Sequence, residues 1–252
     1  MSAIFSSGFD ARNADCLMFF TSDTQSLHPL SLLVPASVVD LVFQDCLISL
    51  SEGSLSFAAA NGRRYDLVET DPVKVPDACS IADLKLIQEN LKMLIASLKL
   101  FGRRSIILDL VLGCNTEKNI LSGAETIIFA ANPDLNSLAG FIGAGEGLTP
   151  AFDDFLTGML FVDRFTLINR INMPDDFFAN ISRRTTVQSL QQLGFAANGK
   201  LSLRFESFIG EFMSRNLKSA DIVKIINCGH SSGTDILCGI WHYLDQTINR
   251  SN

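Results

Sequence analysis

Between Ser54 and Leu67 apolar and polar positions alternate: Leu55 and Phe57 with Ser54 and Ser56, Tyr65 and Leu67 with Arg64 and Asp66. A period of two marks a strand with one buried face. Ahead of it runs LVFQDCLISL, then a Ser51-Glu52-Gly53-Ser54 corner. Between the two alternating stretches sits Asn61-Gly62, a pair that favours the type I′ turn because both positions accept positive φ. The pattern predicts a three-strand meander, free or closed into a small barrel. Asp71 to Ala78, DPVKVPDA, has prolines and no periodicity. It marks the expected boundary between a β-rich domain, residues 1–75, and a second domain, residues 76–252.

Beyond that boundary the period lengthens. Leu84, Ile87, Leu91, Leu94 and Leu98 fall on one face of a helix. Ser80 is the expected cap with Asp83 reaching back, and Gly102 the stop, with Arg103 and Arg104 beside the negative end of the dipole. Further helices are predicted over Asn119–Ala131, Asn136–Phe141, Thr149–Phe165, Pro174–Ala197, Leu201–Arg215, Ser219–Ile226 and Ser232–Thr247. Ser105–Gly113, SIILDLVLG, reads equally as strand or buried helix. The fold class is therefore α+β: a β-rich N-terminal part followed by a mainly helical C-terminal domain.

Composition narrows the partners. With 252 residues, 47% hydrophobic and 19% charged, the chain can bury a substantial core. A formal charge of −7 disfavours nucleic acid and acidic membranes. No apolar run reaches the ~18–20 residues of a membrane span. MSAIFSSGFDAR lacks the basic-then-apolar order of a secretory signal, so a cytoplasmic location is expected. The cysteines, Cys16, Cys46, Cys79, Cys114, Cys228 and Cys238, form no CxxC pair and read as reduced hydrophobes, without a structural zinc site.

Candidate chemistry concentrates in two glycine-flanked stretches. The first is GAGEGLTPAFDDFLTG, Gly143 to Gly158; the second is GHSSGTDILCG, Gly229 to Gly239. Counting from Gly147 and Gly229, each has Thr or Ser two residues on, Asp six residues on, and Phe or Leu eight residues on. Thr149 is a good N-cap and Pro150 suits the first helical position. Gly143, Gly145 and Gly147 permit positive φ and close approach of a ligand to the backbone. In the second stretch Ser231 or Ser232 can cap, Ser232 and Asp235 have capping-box spacing, and Gly229 and Gly233 free the backbone. A glycine-rich loop feeding a helix start is an anion pocket. Two such starts are expected to face each other across a cleft.

Three acids complicate that pocket. Asp153, Asp154 and Asp235 lie in the first turns, where an anion would sit. They can cap their own loops, hold a Mg²⁺ that bridges to phosphate, or accept hydrogen bonds from N–H groups of a ligand. His230 lies inside the second motif as a general base or a ligand to a substrate oxygen. His28 and His242 have weaker claims, and no spacing repeats a Ser-His-Asp triad. Arg183 or Arg184, followed by Thr185 and Thr186, could clamp a carboxylate or phosphate, against the alternative of a capped, solvated helix start.

GLTPAFDDFLTG, the TT-x-x-S-L segment at Thr185–Leu190 and GHSSGTDILCG, in that order, resemble the bacterial family called domain of unknown function 2877. The resemblance spans roughly residues 110–245. It implies a companion succinyl-CoA-synthetase-like subunit and a further partner. It also implies a likeness to a subunit of the three-subunit oxamate carbamoyltransferase of allantoin breakdown, which interconverts oxalurate plus phosphate with oxamate plus carbamoyl phosphate. One departure stands out, since Ser-Gly is expected where this chain has Ala151 and Phe152.

The expected catalytic set is Asp153, Asp154, Asp235 and His230. The expected substrate-binding set is Gly145, Gly147, Thr149, Arg184, Thr185, Thr186, Gly229, Ser231, Ser232 and Gly233. Carbamoyl phosphate would offer an anion to the N–H groups and an NH₂ group to the acids. Two other readings remain open: a non-catalytic assembly or binding subunit, and an enzyme handling phosphate with Mg²⁺ on Asp153 and Asp154. Outside the last reading no cofactor is expected. A homo-oligomer is a further option, and the β-rich domain is expected to form a subunit interface.

Overall fold

The computed structural model describes residues 3–5, 8–13, 16–34, 36–39, 47–51, 54–58, 64–67, 76–114 and 135–249. The chain folds as two compact units, Met1–Pro76 and Asp77–Asn252. The fold is α+β: strands fill the first unit and helices the second.

Among the described residues the first unit holds two sheets. One has the order β1-β2-β3-β4, from Ala3–Phe5, Gly8–Asn13, Cys16–Thr21 and Ser31–Leu33. The first three strands are antiparallel; β4 returns parallel to β3, with Phe19 opposite Ser31 and Thr21 opposite Leu33. Phe9 and Phe20 face each other across β2 and β3, fully buried, with rings stacked 4.7 Å apart. A short helix, α1, covers Ala36–Val39. The second sheet is the predicted meander, β5 Leu47–Ser51, β6 Ser54–Ala58 and β7 Arg64–Leu67. Its antiparallel register sets Leu50 opposite Leu55 and Phe57 opposite Tyr65. The expected Asn61-Gly62 turn lies outside the described residues.

In the second unit α2, Leu84–Phe101, carries the predicted apolar face inward, with Ile87, Leu91, Leu94 and Leu98 all buried. Its cap is Asp83, whose carboxylate accepts the Leu86 amide, and not Ser80. The ambiguous segment is a helix, α3, Ile106–Val111, because Ser105 caps it by accepting the Leu108 amide. Next come α4, Leu135–Leu138, α5, Ala151–Phe165, and α6, Phe177–Ile181. They are followed by α7, Val187–Ala196, α8, Leu203–Ser214, α9, Ser219–Ile226, and α10, Ser232–Asn249. The single helix expected over Pro174–Ala197 is thus two, since Thr186 takes an extended conformation and starts α7 afresh. The helix expected over Asn119–Ala131 lies outside the described residues. No helix among the described residues is long and apolar enough to cross a membrane.

The most extensive packing joins α5 to α10, and glycine makes it possible. A Cβ on Gly158 would lie 2.1 Å from the Ile236 carbonyl oxygen, and one on Gly239 would lie 2.0 Å from that of Phe155. The next neighbours correspond as well, Ile240 N for Gly158 and Met159 N for Gly239, each at 3.1 Å. The two helices therefore cross with local two-fold character. Asp154-Phe155 and Gly158-Met159 on one match Asp235-Ile236 and Gly239-Ile240 on the other. Helix α5 is buried along nearly its whole length, acids included, which identifies it as the central element.

Candidate active site at two helix starts

The loop before α5 is built on glycine. Gly143, Gly145 and Gly147 have φ of +85°, +120° and +98°. Gly143 also admits the Arg184 carbonyl oxygen, which a Cβ would meet at 2.1 Å. Pro150 takes the N-cap position with no side-chain cap, so Thr149 is not the cap that its residue type suggests. The first-turn amide of Phe152 is satisfied by the Ala144 carbonyl at 3.0 Å instead. That releases the Thr149 hydroxyl. It donates to Asp154 Oδ2 at 3.0 Å and lies 3.0 Å from Ser232 Oγ on α10. The two helix starts meet at this hydroxyl pair.

Of the adjacent acids, Asp153 serves the loops. Its Oδ1 accepts the Gly143 amide at 2.7 Å; its Oδ2 accepts the Thr185 hydroxyl and, at 2.6 Å, that of Ser189. Both oxygens of a fully buried carboxylate are thereby spent on fastening the glycine loop to the start of α7. Thr186 completes the fastening: it accepts the Ser189 amide and donates to the Leu148 carbonyl. Arg184 is exposed, and its guanidinium reaches the Ala139 and Gly140 carbonyls at 3.3 and 3.4 Å. Asp153, Arg184, Thr185 and Thr186, all expected at the substrate, make hydrogen bonds within the chain here.

Asp154 and Asp235 are different. They are 1% and 0% exposed and occupy matching positions before the glycine crossing. Counting from the leading glycines pairs Asp153 with Asp235; the helix crossing pairs Asp154 with it instead. Burial pushes the Asp154 carboxyl up to about 8, with the nearby Asp235 charge adding to the rise and the Ser232, Thr149 and Gln192 side chains opposing it. The amide of Gln192 donates to its Oδ1 at 3.0 Å. Burial likewise raises Asp235 to about 7, opposed by the hydroxyls of Ser105 and Ser231. Ser105 donates to Asp235 Oδ1 at 2.5 Å, whereas Oδ2 is buried and accepts no hydrogen bond among the described residues. The Thr234 hydroxyl accepts the Arg103 amide at 2.9 Å, holding the α2–α3 corner against α10.

Around these acids the backbone offers donors. The amides of Gly145, Glu146, Gly147, Leu148 and Thr149 find no acceptor among the described residues, nor do those of Gly229, His230, Ser231 and Ser232. Gly233 differs: its amide is taken by the Cys228 carbonyl at 2.9 Å, and a Cβ there would meet the Ile225 carbonyl oxygen at 2.0 Å. Gly229, with φ of +66°, and His230 are exposed at the rim. Among the described residues no group of three or more His, Cys, Asp or Glu side chains is arranged to hold a metal ion. Asp153 is bonded by Gly143, Thr185 and Ser189 and Asp154 by Thr149 and Gln192, so the two carboxylates share no hydrogen-bond donor.

Sequence reasoning missed Ser105, Ser189 and Gln192. Ser105 carried a signal, as a capping residue just after a helix stop. Gln192 carried none, because only the docking of α7 on α5 brings it to Asp154.

No solved structure matches the chain. Residues 141–244 match the family model described as oxamate carbamoyltransferase subunit AllH. That stretch begins just before the glycine loop, ends within α10, and contains all three motifs that carry the resemblance read from the sequence. Over residues 141–244, then, this chain is similar to an oxamate carbamoyltransferase subunit.

Proposed function

We propose that the chain is a subunit of an oxamate carbamoyltransferase complex, and that the meeting point of α5 and α10 holds a small anionic substrate such as oxamate or carbamoyl phosphate. The observation that carries the reading is the Thr149–Ser232 contact of 3.0 Å, which sets two sets of unfilled backbone N–H groups side by side. One helix start is a common structural feature. Two meeting over a pair of buried acids with near-neutral acidity form a site with donors on its rim and proton-exchanging groups on its floor.

The chemistry follows from that polarity. Carbamoyl transfer moves the H₂N–C=O group between phosphate oxygen and amide nitrogen, one bond to its carbon forming as the other breaks, and builds negative charge on the carbonyl oxygen. A backbone N–H aimed at that oxygen stabilises the transition state by ~3–4 kcal/mol. The leaving nitrogen needs a proton. Asp154, which burial keeps protonated to about pH 8, would supply one in this reading. The reading invokes no metal.

The name of the matched family speaks of a subunit, which favours partner chains. A succinyl-CoA-synthetase-like subunit and a further partner, a cytoplasmic location and a place in allantoin nitrogen breakdown belong to this proposal. So does a role for the unit Met1–Pro76 as a contact for partners. Exposed apolar side chains favour an assembly role for the second unit: Leu148, at the tip of the glycine loop, is 47% exposed, and Leu84, Leu100, Phe101 and Leu167 are more so.

Calorimetry on the full chain, alone and with its co-purified partners, tests the proposal. Oxamate, carbamoyl phosphate and phosphate are the probes. Binding should weaken by about tenfold in the double variant Thr149→Val, Ser232→Ala, the loss expected for about 1.4 kcal/mol of hydrogen bonding. Undiminished binding in that variant would place the site elsewhere. Binding of none of the three, with Leu148→Asp releasing a partner, would establish the assembly role instead.

A further inference from the structure

Asp235 holds a buried acceptor with nothing to accept among the described residues. Its residue is 0% exposed, Oδ1 is filled by Ser105, and Oδ2 has no hydrogen-bond partner there; the Ser231 hydroxyl is near enough to oppose the rise of the carboxyl but outside hydrogen-bond geometry. Orphaned buried oxygens are uncommon, because each forfeits the hydrogen bonds that water supplied in the unfolded chain. Elsewhere at this junction the polar side chains are matched: Asp153 by Gly143, Thr185 and Ser189, and Asp154 by Thr149 and Gln192. The exception sits in the first turn of α10, beside the unfilled amides of Gly229 to Ser232 and near enough to Asp154 to influence its charge.

A ligand that completes this arrangement must bring opposite polarities at its two ends. One end is an anion for the N–H groups. The other is a donor for Asp235 Oδ2. A carboxylate or phosphate at the second position would set negative charge against negative charge in a water-poor site. A neutral donor meets that need, and among the substrates proposed above the primary amide is the group that supplies one. We infer that Asp235 is the specificity-determining residue of the site, reading the primary-amide end of a small anionic substrate and rejecting the corresponding acid. This rests on the substrate-binding reading given above. It goes beyond that reading by naming which acid meets the NH₂ group and what that meeting selects against.

Oxamate and oxalate make the test, since they differ only by NH₂ against O⁻ at one end. Both are titrated into the full chain, with its partners where these are required, at about pH 8. There Asp235, raised to about 7, is mostly ionised. The unsubstituted protein should bind oxamate at least about tenfold more tightly than oxalate, a factor equal to about 1.4 kcal/mol. Asp235→Asn keeps an oxygen for Ser105 and offers its own NH₂ group, so the preference should vanish or reverse, with oxalate binding gaining. Asp153→Asn changes another acid in the first turn of α5 but not the acceptor and should leave the ratio unchanged. Thermal melts confirm that each variant is folded.

A preference that survives Asp235→Asn overturns the inference while leaving the substrate site standing. An equal shift in Asp153→Asn overturns it too, by making the effect one of general charge. If neither compound nor carbamoyl phosphate binds the unsubstituted protein, the site reading fails and the inference with it.

Discussion

Gly239→Ala is the sharpest probe of how this fold is held together. The added Cβ would sit 2.0 Å from the Phe155 carbonyl oxygen, 2.9 Å from its carbon and 3.1 Å from Met159 N. A carbon–oxygen approach normally stops at about 3.3–3.6 Å, so α5 and α10 must part by roughly 1.3 Å or tilt. The obstacle is backbone of a fully buried helix, which cannot rotate away as a side chain would. Overpacking of this kind costs about 1–3 kcal/mol, and the rigid neighbour puts the change at the upper end. Alanine's better helix propensity returns ~1 kcal/mol. The net expectation is a loss of about 2 kcal/mol, or a thermal midpoint lower by roughly 4–8 °C for a domain of this size. Urea denaturation of Gly239→Ala against Gly210→Ala measures it. Gly210, in α8, has nothing within 4 Å of its would-be Cβ, and its substitution should stabilise by up to ~1 kcal/mol. Parting the helices also separates Asp154 from Asp235, so oxamate binding should fall alongside. A Gly239→Ala protein as stable as the original would refute the close crossing and the geometry built on it.

Three further outcomes are expected. Asp154 and Asp235 keep protons to about pH 8 and 7 when folded but ionise from about 3.8 when unfolded, so the folded state binds more protons in between. Their contribution to stability therefore declines as pH rises from about 4 to 8 and levels off above that. Urea midpoints at about pH 5.5 and pH 8 should show a decline that the double variant Asp154→Asn, Asp235→Asn flattens; an equally steep decline in the variant contradicts the burial of these acids. Ser189→Ala removes one of three donors to the buried Asp153 and should cost about 1–2 kcal/mol in equilibrium unfolding. Tyr243→Phe strips the hydroxyl donor from buried Asp163, which also receives the Arg170 amide at 2.7 Å, and should cost a similar amount. For either substitution, a change below about 0.5 kcal/mol would mean that the carboxylate has another donor.

Elements whose signal is local were legible. The period-two run Leu55 to Leu67 is a meander and the Ile87–Leu98 stripe is a buried helix face, because both patterns repeat within a few residues. The first sheet was less visible, since CLMFFT in β3 is continuously apolar and its alternation is lost. Caps fared worse. Ser80 and Thr149 are residues that cap well, yet Asp83 and the Ala144 carbonyl do the work, a choice made by where the chain arrives rather than by residue type. At the site the glycine spacing correctly indicated two comparable helix starts. It misaligned them by one residue because the leading loops differ in length of approach. The trailing glycines, Gly158 and Gly239, carry the true register: each lies four residues after its acid, one turn along the same face.

That register explains why stability and chemistry are hard to separate here. A glycine one turn beyond an acid lets two helices cross closely, and close crossing buries the acid on each. Burial raises both acids toward neutrality, and the same approach brings the Thr149 and Ser232 hydroxyls together. Asp153 shows the alternative fate of an acid one residue earlier. Turned toward α7, it meets three donors and becomes a fastening. Position on the helix, more than residue type, decides which acid fastens the loops and which is raised toward neutrality. Moving the crossing glycine by one residue would be expected to exchange their roles at the cost of the packing that positions both.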